Sequence, residues 1–129
     1  MRKETVLFIS LSASSPDPMH KQVTDQVKQA IAVGDIVAGE QLPSIRELAK
    51  ALGISVITVK RSYLDLEAQG LIIARPGLGS FVAEVDRGRL RSEKLSELRA
   101  TLTRVLAEGE KFGVTAADVV RLIQEIEES

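Results

Sequence analysis

With 129 residues, 44% of them apolar, the chain is long enough for one hydrophobic core and a small appendage. A formal net charge of −1 means that any nucleic-acid surface has to be local rather than a property of the whole molecule. The absence of cysteine excludes disulfide frameworks, thiolate zinc sites and cysteine nucleophiles, and agrees with an expected cytoplasmic location.

The N-terminus, MRKETVLFISLSASSPDP, carries two cations and a short apolar run. That run, Val6 to Leu11, is shorter than the roughly 7–15 residues of a signal-peptide core. It reads as an extended strand over residues 5–11. No apolar run approaches the ~20 residues of a membrane span, and no membrane partner is expected. The following SASSPDP consists of turn residues. Asp17 before Pro18 reads as an N-cap with proline in the first helical position. Met19, Val23, Val27, Ala30 and Ile31 then recur at helical spacing, and Gly34 closes the helix.

GDIVAGEQLP reads as a loop. A second helix opens at Ser44, where Ser44-x-x-Glu47 has the pattern of a capping box. It turns Ile45, Leu48, Ala49 and Leu52 inward and stops at Gly53. A third helix spans residues 55–69 and is closed by Gly70. Two short helices joined by a glycine-containing turn form a helix-turn-helix. LIIAR (71–75) and SFVAEV (80–85) then read as strands around the tight turn PGLG. A helix-turn-helix followed by a hairpin is a winged helix. Gly77-x-Gly79 lacks the following helix that a phosphate-binding loop requires.

Beyond Val85 the sequence becomes more charged. Leu95, Leu98, Leu102, Val105 and Leu106 recur at helical spacing, Gly109 and Gly113 bracket a short connection, and Thr115 caps a last helix bearing Ala116, Val119, Val120, Ile123 and Ile126. Two such helices cannot close a core alone. Their stripes must pack on the winged helix, on each other or on a second copy. The expected architecture is mainly α with a small β-hairpin wing: a winged helix-turn-helix domain over 1–85 and a helical dimerisation pair over 86–129. The dimerisation residues are expected to be Leu95, Leu98, Leu102, Val105, Leu106, Val119, Val120, Ile123 and Ile126.

The third helix carries the functional signal. At about 100° per residue, Val59, Ser62, Tyr63 and Leu66 share one sector, while Ile57 and Arg61 lie nearly opposite, flanked by Val56 and Lys60. In a helix-turn-helix bound to DNA this outer face enters the major groove. Methyl-bearing side chains there can rest on thymine methyls, and Lys60 and Arg61 can bond guanine edges or phosphates. The alternative is that Val56 and Ile57 pack beneath the N-terminal strand or a partner subunit; Leu64, further along, suits packing. Ser44 and Arg46 sit at a helix N-terminus suited to phosphate. Ser55 and Thr58 offer hydroxyls to phosphate, with capping as the other reading of Ser55. Arg75, Gly77, Gly79 and Ser80 surround the wing tip. Residues 44–82 hold five cations against three carboxylates, a local excess of +2 in a chain whose remainder is negative. Arg87, Arg89, Arg91 and Lys94 form a second basic run that reads mainly as a solvated helix face.

LPSIRELAKALGISVITVKRSYLDLEAQGLIIARPGLGSFV resembles the winged-helix domain of the GntR family of bacterial transcriptional regulators. Leu42-Pro43-Ser44, Arg46-Glu47-Leu48-Ala49, Thr58-Val59, Leu66-Glu67, Gly70-Leu71 and Gly77-x-Gly79-x-Phe81-Val82 carry the likeness, across roughly residues 19–85. The resemblance implies that Arg46, Ser55, Thr58 and Lys60 contact DNA and that Gly77 enters the minor groove. Many members have Arg after the serine where this chain has Val56, which implies a different operator. The short region after Val85 resembles the YtrA-type subfamily, in which a small helical pair serves dimerisation.

The expected function is that of a homodimeric repressor on double-stranded DNA, without metal or cofactor. Two alternatives are a winged-helix module that binds protein, and the DNA-binding part of a longer effector-sensing regulator. An enzyme is not expected: His20 is the sole histidine, and no nucleophile–base pair is visible. Any small-molecule effector is expected between the C-terminal helices or at the dimer interface.

Overall fold

A computed structural model of the chain describes residues 9–129. The chain forms two compact units, the first running to Arg87 and the second spanning Gly88–Ser129. Most of the strand expected over residues 5–11 lies outside the described residues, and residues 9–11 are in no strand. They are held instead by glutamines of the first helix, α1 (Met19–Ala32). Gln26 Nε2 donates to the Ser10 carbonyl (2.8 Å) and its Oε1 accepts from Ser10 N–H (2.9 Å). Gln22 does the same for Ser12, at 3.0 and 2.9 Å. Two side-chain amides one helical turn apart thus take the place of a neighbouring strand.

The N-cap of α1 is Pro18, not Asp17, and it makes no side-chain cap. Pro18 is extended, with ψ 156°, and its carbonyl accepts from the Lys21 and Gln22 N–H groups. The Asp17 carboxylate is drawn instead to Lys21, 3.6 Å away. Val23, Val27 and Ile31, four residues apart, are buried along one face.

α2 (Ile45–Leu52) opens on the expected capping box: Glu47 N–H donates to Ser44 Oγ (3.1 Å) and Ser44 N–H to Glu47 Oε1 (3.2 Å). Leu48 and Ala49 are buried, whereas Ile45 and Leu52 are half-buried. Gly53 ends the helix in the left-handed region at φ 67°, where a side chain would add strain. α3 (Val56–Ala68) follows, with Ser55 as its cap. Its inner face of Val59, Ser62, Tyr63 and Leu66 is buried and packs against α1 and α2. Ser62, fully buried, donates from Oγ to the His20 carbonyl at 2.7 Å, so a small polar residue lets α1 and α3 approach closely without an unsatisfied hydroxyl.

β1 (Ile72–Arg75) and β2 (Gly79–Val82) form an antiparallel hairpin with Ile72 opposite Val82 and Arg75 opposite Gly79. The second strand is shorter than its expected 80–85. Beyond it, Ala83 N–H reaches the Leu71 carbonyl, but Leu71 is already returning from the end of α3, so no strand partner remains. β2 has company on its other edge. Leu42 N–H donates to the Ser80 carbonyl (2.8 Å), Val82 N–H to Glu40 (2.9 Å) and Gly39 N–H to Val82 (2.9 Å). The segment read as a plain loop therefore ends as a bridge along the wing.

The second unit consists of α4 (Arg87–Glu110), which begins at the last residue of the first unit, and α5 (Ala116–Glu128). α4 runs past Gly109, and the chain turns at Gly113. Thr115 and Asp118 form a second capping box at the start of α5. The two helices approach each other closely over only a short stretch of backbone. Leu95, Leu98, Leu102, Val105, Leu106, Val120, Ile123 and Ile126 are all exposed in the protomer, while Val119 is buried. Leu95, Leu98, Leu102 and Val105 alternate by three and four residues, the spacing of a helix–helix seam.

Candidate nucleic-acid interface

Pro43 is the point at which the elements of the first unit converge. Leu42, just before it, is hydrogen-bonded to the wing strand at Ser80, and Ser44, just after it, caps α2. Tyr63 of α3 donates its hydroxyl to the Pro43 carbonyl at 2.7 Å. The start of α2, the inner face of α3 and the tip-proximal end of the second wing strand are therefore fastened to one short stretch of chain. Burial, with the Glu47 carboxylate adding to it, pushes the Tyr63 phenol above its ordinary value, so it stays protonated and donating.

Ser44 and Arg46 are exposed at the start of α2. The Ser44 hydroxyl is engaged in the capping box, whose hydrogen bonds hold the Glu47 carboxyl below its usual range. On α3, Val56, Ile57, Lys60 and Arg61 are exposed on the outer face, with Ile57 at 81%. The strand named in the packed alternative for Val56 and Ile57 lies mostly outside the described residues, and Leu64, expected to pack, is exposed in the protomer. Ser55 Oγ accepts from Thr58 N–H (3.1 Å) and lies 2.8 Å from Thr58 Oγ1 in a second hydrogen bond. Ser55 thus caps its helix and Thr58 is half-buried beside it.

At the wing, the Arg75 guanidinium carbon lies over the Phe81 ring, 5.1 Å from its centroid, in a cation–π contact. Gly77 has φ 73° at the tip and Leu78 is exposed beside it. Gln41 Nε2 donates to the Leu78 carbonyl at 2.8 Å, clasping the tip from the bridge segment. Gly79 makes room for this clasp, since an added Cβ would lie 2.8 Å from Gln41 Nε2 at a φ of 118°. Gln41 is the positioning residue that sequence reasoning missed, because no spacing rule links a loop glutamine to a turn carbonyl 37 residues later. Within the second basic run, Arg89 pairs with Glu93 and Lys94 with Glu97, the signature of a solvated helix face.

Among the described residues no group of acidic or histidine side chains is placed to hold a metal, and no helix is long and apolar enough to cross a membrane. Two open hollows of about 390 Å³ are present, one lined by residues including Ile31, Ile36, Val82 and Arg87, the other by residues including Leu106, Glu110, Val114 and Thr115.

A capped helix pair fastened to a two-stranded wing, with the outer face of its second helix bearing cations, coincides with the family model for bacterial regulatory proteins of the gntR family, which matches residues 19–82. A solved transcriptional regulator from Oenococcus oeni is similar over nearly the whole chain, with TM-score 0.72 and 31% identity, covering 92% of this chain and 98% of that one. The chain belongs to the GntR family. Its fold is a winged helix-turn-helix, and it is a DNA-binding transcription regulator, not an enzyme. The similarity to the transcriptional repressor YtrA of Bacillus subtilis, 28% identical over 119 residues, spans 92% of both chains and so reaches through the C-terminal helices. The DNA-binding domain of AraR, solved in complex with its operator ORE1, superposes on this GntR chain with TM-score 0.51 and 30% identity, covering 62% of this chain and 98% of that domain.

Proposed function

We propose that this GntR regulator is a cytoplasmic homodimeric repressor that occupies an inverted-repeat operator within a promoter. The observation that carries the reading is the outer face of α3, where Ile57, Lys60 and Arg61 are exposed beside a capped helix start on a scaffold whose relatives bind DNA. α3 enters the major groove and the wing tip of Gly77 and Gly79 the adjacent minor groove, with Arg75 and Ser80 at its sides. Lys60 and Arg61 reach guanine edges or phosphates. Arg46 and the N-terminus of α2 meet the backbone, with Ser44, Ser55 and Thr58 beside them. Repression is supported by the likeness to YtrA, a repressor, over nearly the whole chain.

The dimer rests on the uncovered stripe of α4. Leu95, Leu98, Leu102 and Val105 are each 41–49% exposed at heptad spacing, and Val120, Ile123 and Ile126 of α5 are exposed too. Packing this surface against a second copy removes it from water, at about 25 cal/mol per Å² of apolar area. Two-fold pairing presents two recognition helices about one turn of DNA apart, roughly 34 Å. With a local charge excess of only +2, one protomer binds DNA weakly, and useful affinity requires both.

The test is selection from a random duplex pool with the full chain, followed by binding across a salt series and a stoichiometry measurement. An enriched inverted repeat, bound two chains per site with a steep salt slope, is the expected result. Absence of any enriched sequence overturns the operator reading and favours a surface that binds protein.

A further inference from the structure

The first turn of α3 carries two exposed apolar side chains beside a pair of hydroxyls. The hydroxyls of Ser55 and Thr58 are bonded to each other at 2.8 Å, and Ser55 Oγ also accepts the Thr58 N–H, so the pair is held in the cap with one hydroxyl proton left to donate outward. Between them stand Val56, 46% exposed, and Ile57, 81% exposed. The cations Lys60 and Arg61 follow one turn later. Ile57 is thus the most exposed apolar side chain of the helix, at its N-terminal end, where a recognition helix meets base edges.

The base edges of the major groove carry hydrogen-bond donors, acceptors and one apolar group, the 5-methyl of thymine. An isoleucine completes no hydrogen bond. Against a donor or acceptor it displaces water and replaces nothing, which is unfavourable. On the base edges its most favourable counterpart is the methyl group. We infer that Ile57, flanked by Val56, is a specificity-determining residue that selects one thymine in each operator half-site through its 5-methyl group. This rests on the operator reading above and deepens it. The contact reads a methyl and not a base pair, so 5-methylcytosine presents the same feature to it.

The experiment uses the full-length protein and the operator recovered by selection. Each thymine is replaced in turn by deoxyuridine, which removes the methyl and leaves every hydrogen-bonding group in place. One thymine per half-site is expected at which this change weakens binding roughly fourfold, the equivalent of one lost methyl contact. Cytosine at that position weakens binding further, and 5-methylcytosine recovers part of the loss. Ile57→Ala, a change at a surface position, is expected to become indifferent to uridine there while keeping its salt slope. An operator at which no thymine-to-uridine change matters overturns the inference and leaves the operator reading standing. The same follows if Ile57→Ala keeps the wild-type sensitivity. Failure to recover any operator overturns both.

Discussion

The Tyr63 hydroxyl donates to the Pro43 carbonyl across 2.7 Å, joining the buried face of α3 to the residue that precedes the cap of α2. This bond sets the two helices of the helix-turn-helix against each other, because it acts at the end of α2 opposite the Gly53 turn. Tyr63→Phe keeps the ring and leaves the half-buried Pro43 carbonyl without this donor. A loss of about 1 kcal/mol in unfolding free energy is expected, read by urea denaturation. Unchanged stability would mean that water replaces the bond without cost.

The same residue makes stability pH-dependent at the alkaline end. Its folded-state value is raised above the ordinary phenol value of about 10, by burial first and the Glu47 charge second. The folded state therefore holds the proton more tightly than the unfolded one. Stability is complete below about pH 10 and is lost as pH rises from there toward the raised value. Tyr63 is the only tyrosine and there is no tryptophan, so tyrosinate absorbance reports it alone. The native protein should titrate at higher pH than the denatured chain, and Tyr63→Phe should flatten the stability profile in that window.

Gln41 clasps the wing tip through the Leu78 carbonyl. Gln41→Ala removes the donor at an exposed site, so the fold should persist while the wing samples more positions. Operator affinity should fall by about 1 kcal/mol, roughly fivefold, with the melting temperature little changed. An equal loss of affinity and of stability would assign Gln41 to the fold rather than to the wing.

Lys60→Ala and Arg61→Ala remove exposed cations from the outer face of α3. Each should weaken binding by roughly 1–3 kcal/mol where it contacts a base, or lower the salt slope by about one where it contacts a phosphate. Circular dichroism should be unchanged in both. Full binding by both variants would remove α3 from the interface.

Leu98→Glu with Leu102→Glu places two carboxylates on the uncovered stripe of α4, where both leucines are over 40% exposed in the protomer. Sedimentation should then show monomers whose winged helix is intact and whose operator affinity is reduced. A dimer that survives the double change would place the interface on another surface.

The amino-acid sequence by itself determined the features whose partners lie within one helical turn. The Ser44–Glu47 box, the Ser55 cap, the Thr115 cap and the left-handed Gly53 all stand where spacing and residue type place them, and α2 and α3 keep their expected limits to within a residue. Such signals are local, since a cap needs only a hydroxyl and an amide three residues on. The inner face of α3 was legible for the same reason, because helical periodicity sorts residues without knowledge of what covers them. Tertiary structure decided whatever depends on a distant partner. Asp17 has the composition of a cap, yet its carboxylate lies toward Lys21 and Pro18 stands in the N-cap position. The second wing strand ends at Val82 because its neighbour has turned away, and Ser10 and Ser12 find the amides of Gln26 and Gln22 where a strand would need another backbone. Gln41, Tyr63 and Gly79 acquire their roles from carbonyls and side chains far along the chain. No periodicity encodes those pairings; they exist only once packing has brought the two groups within hydrogen-bonding distance.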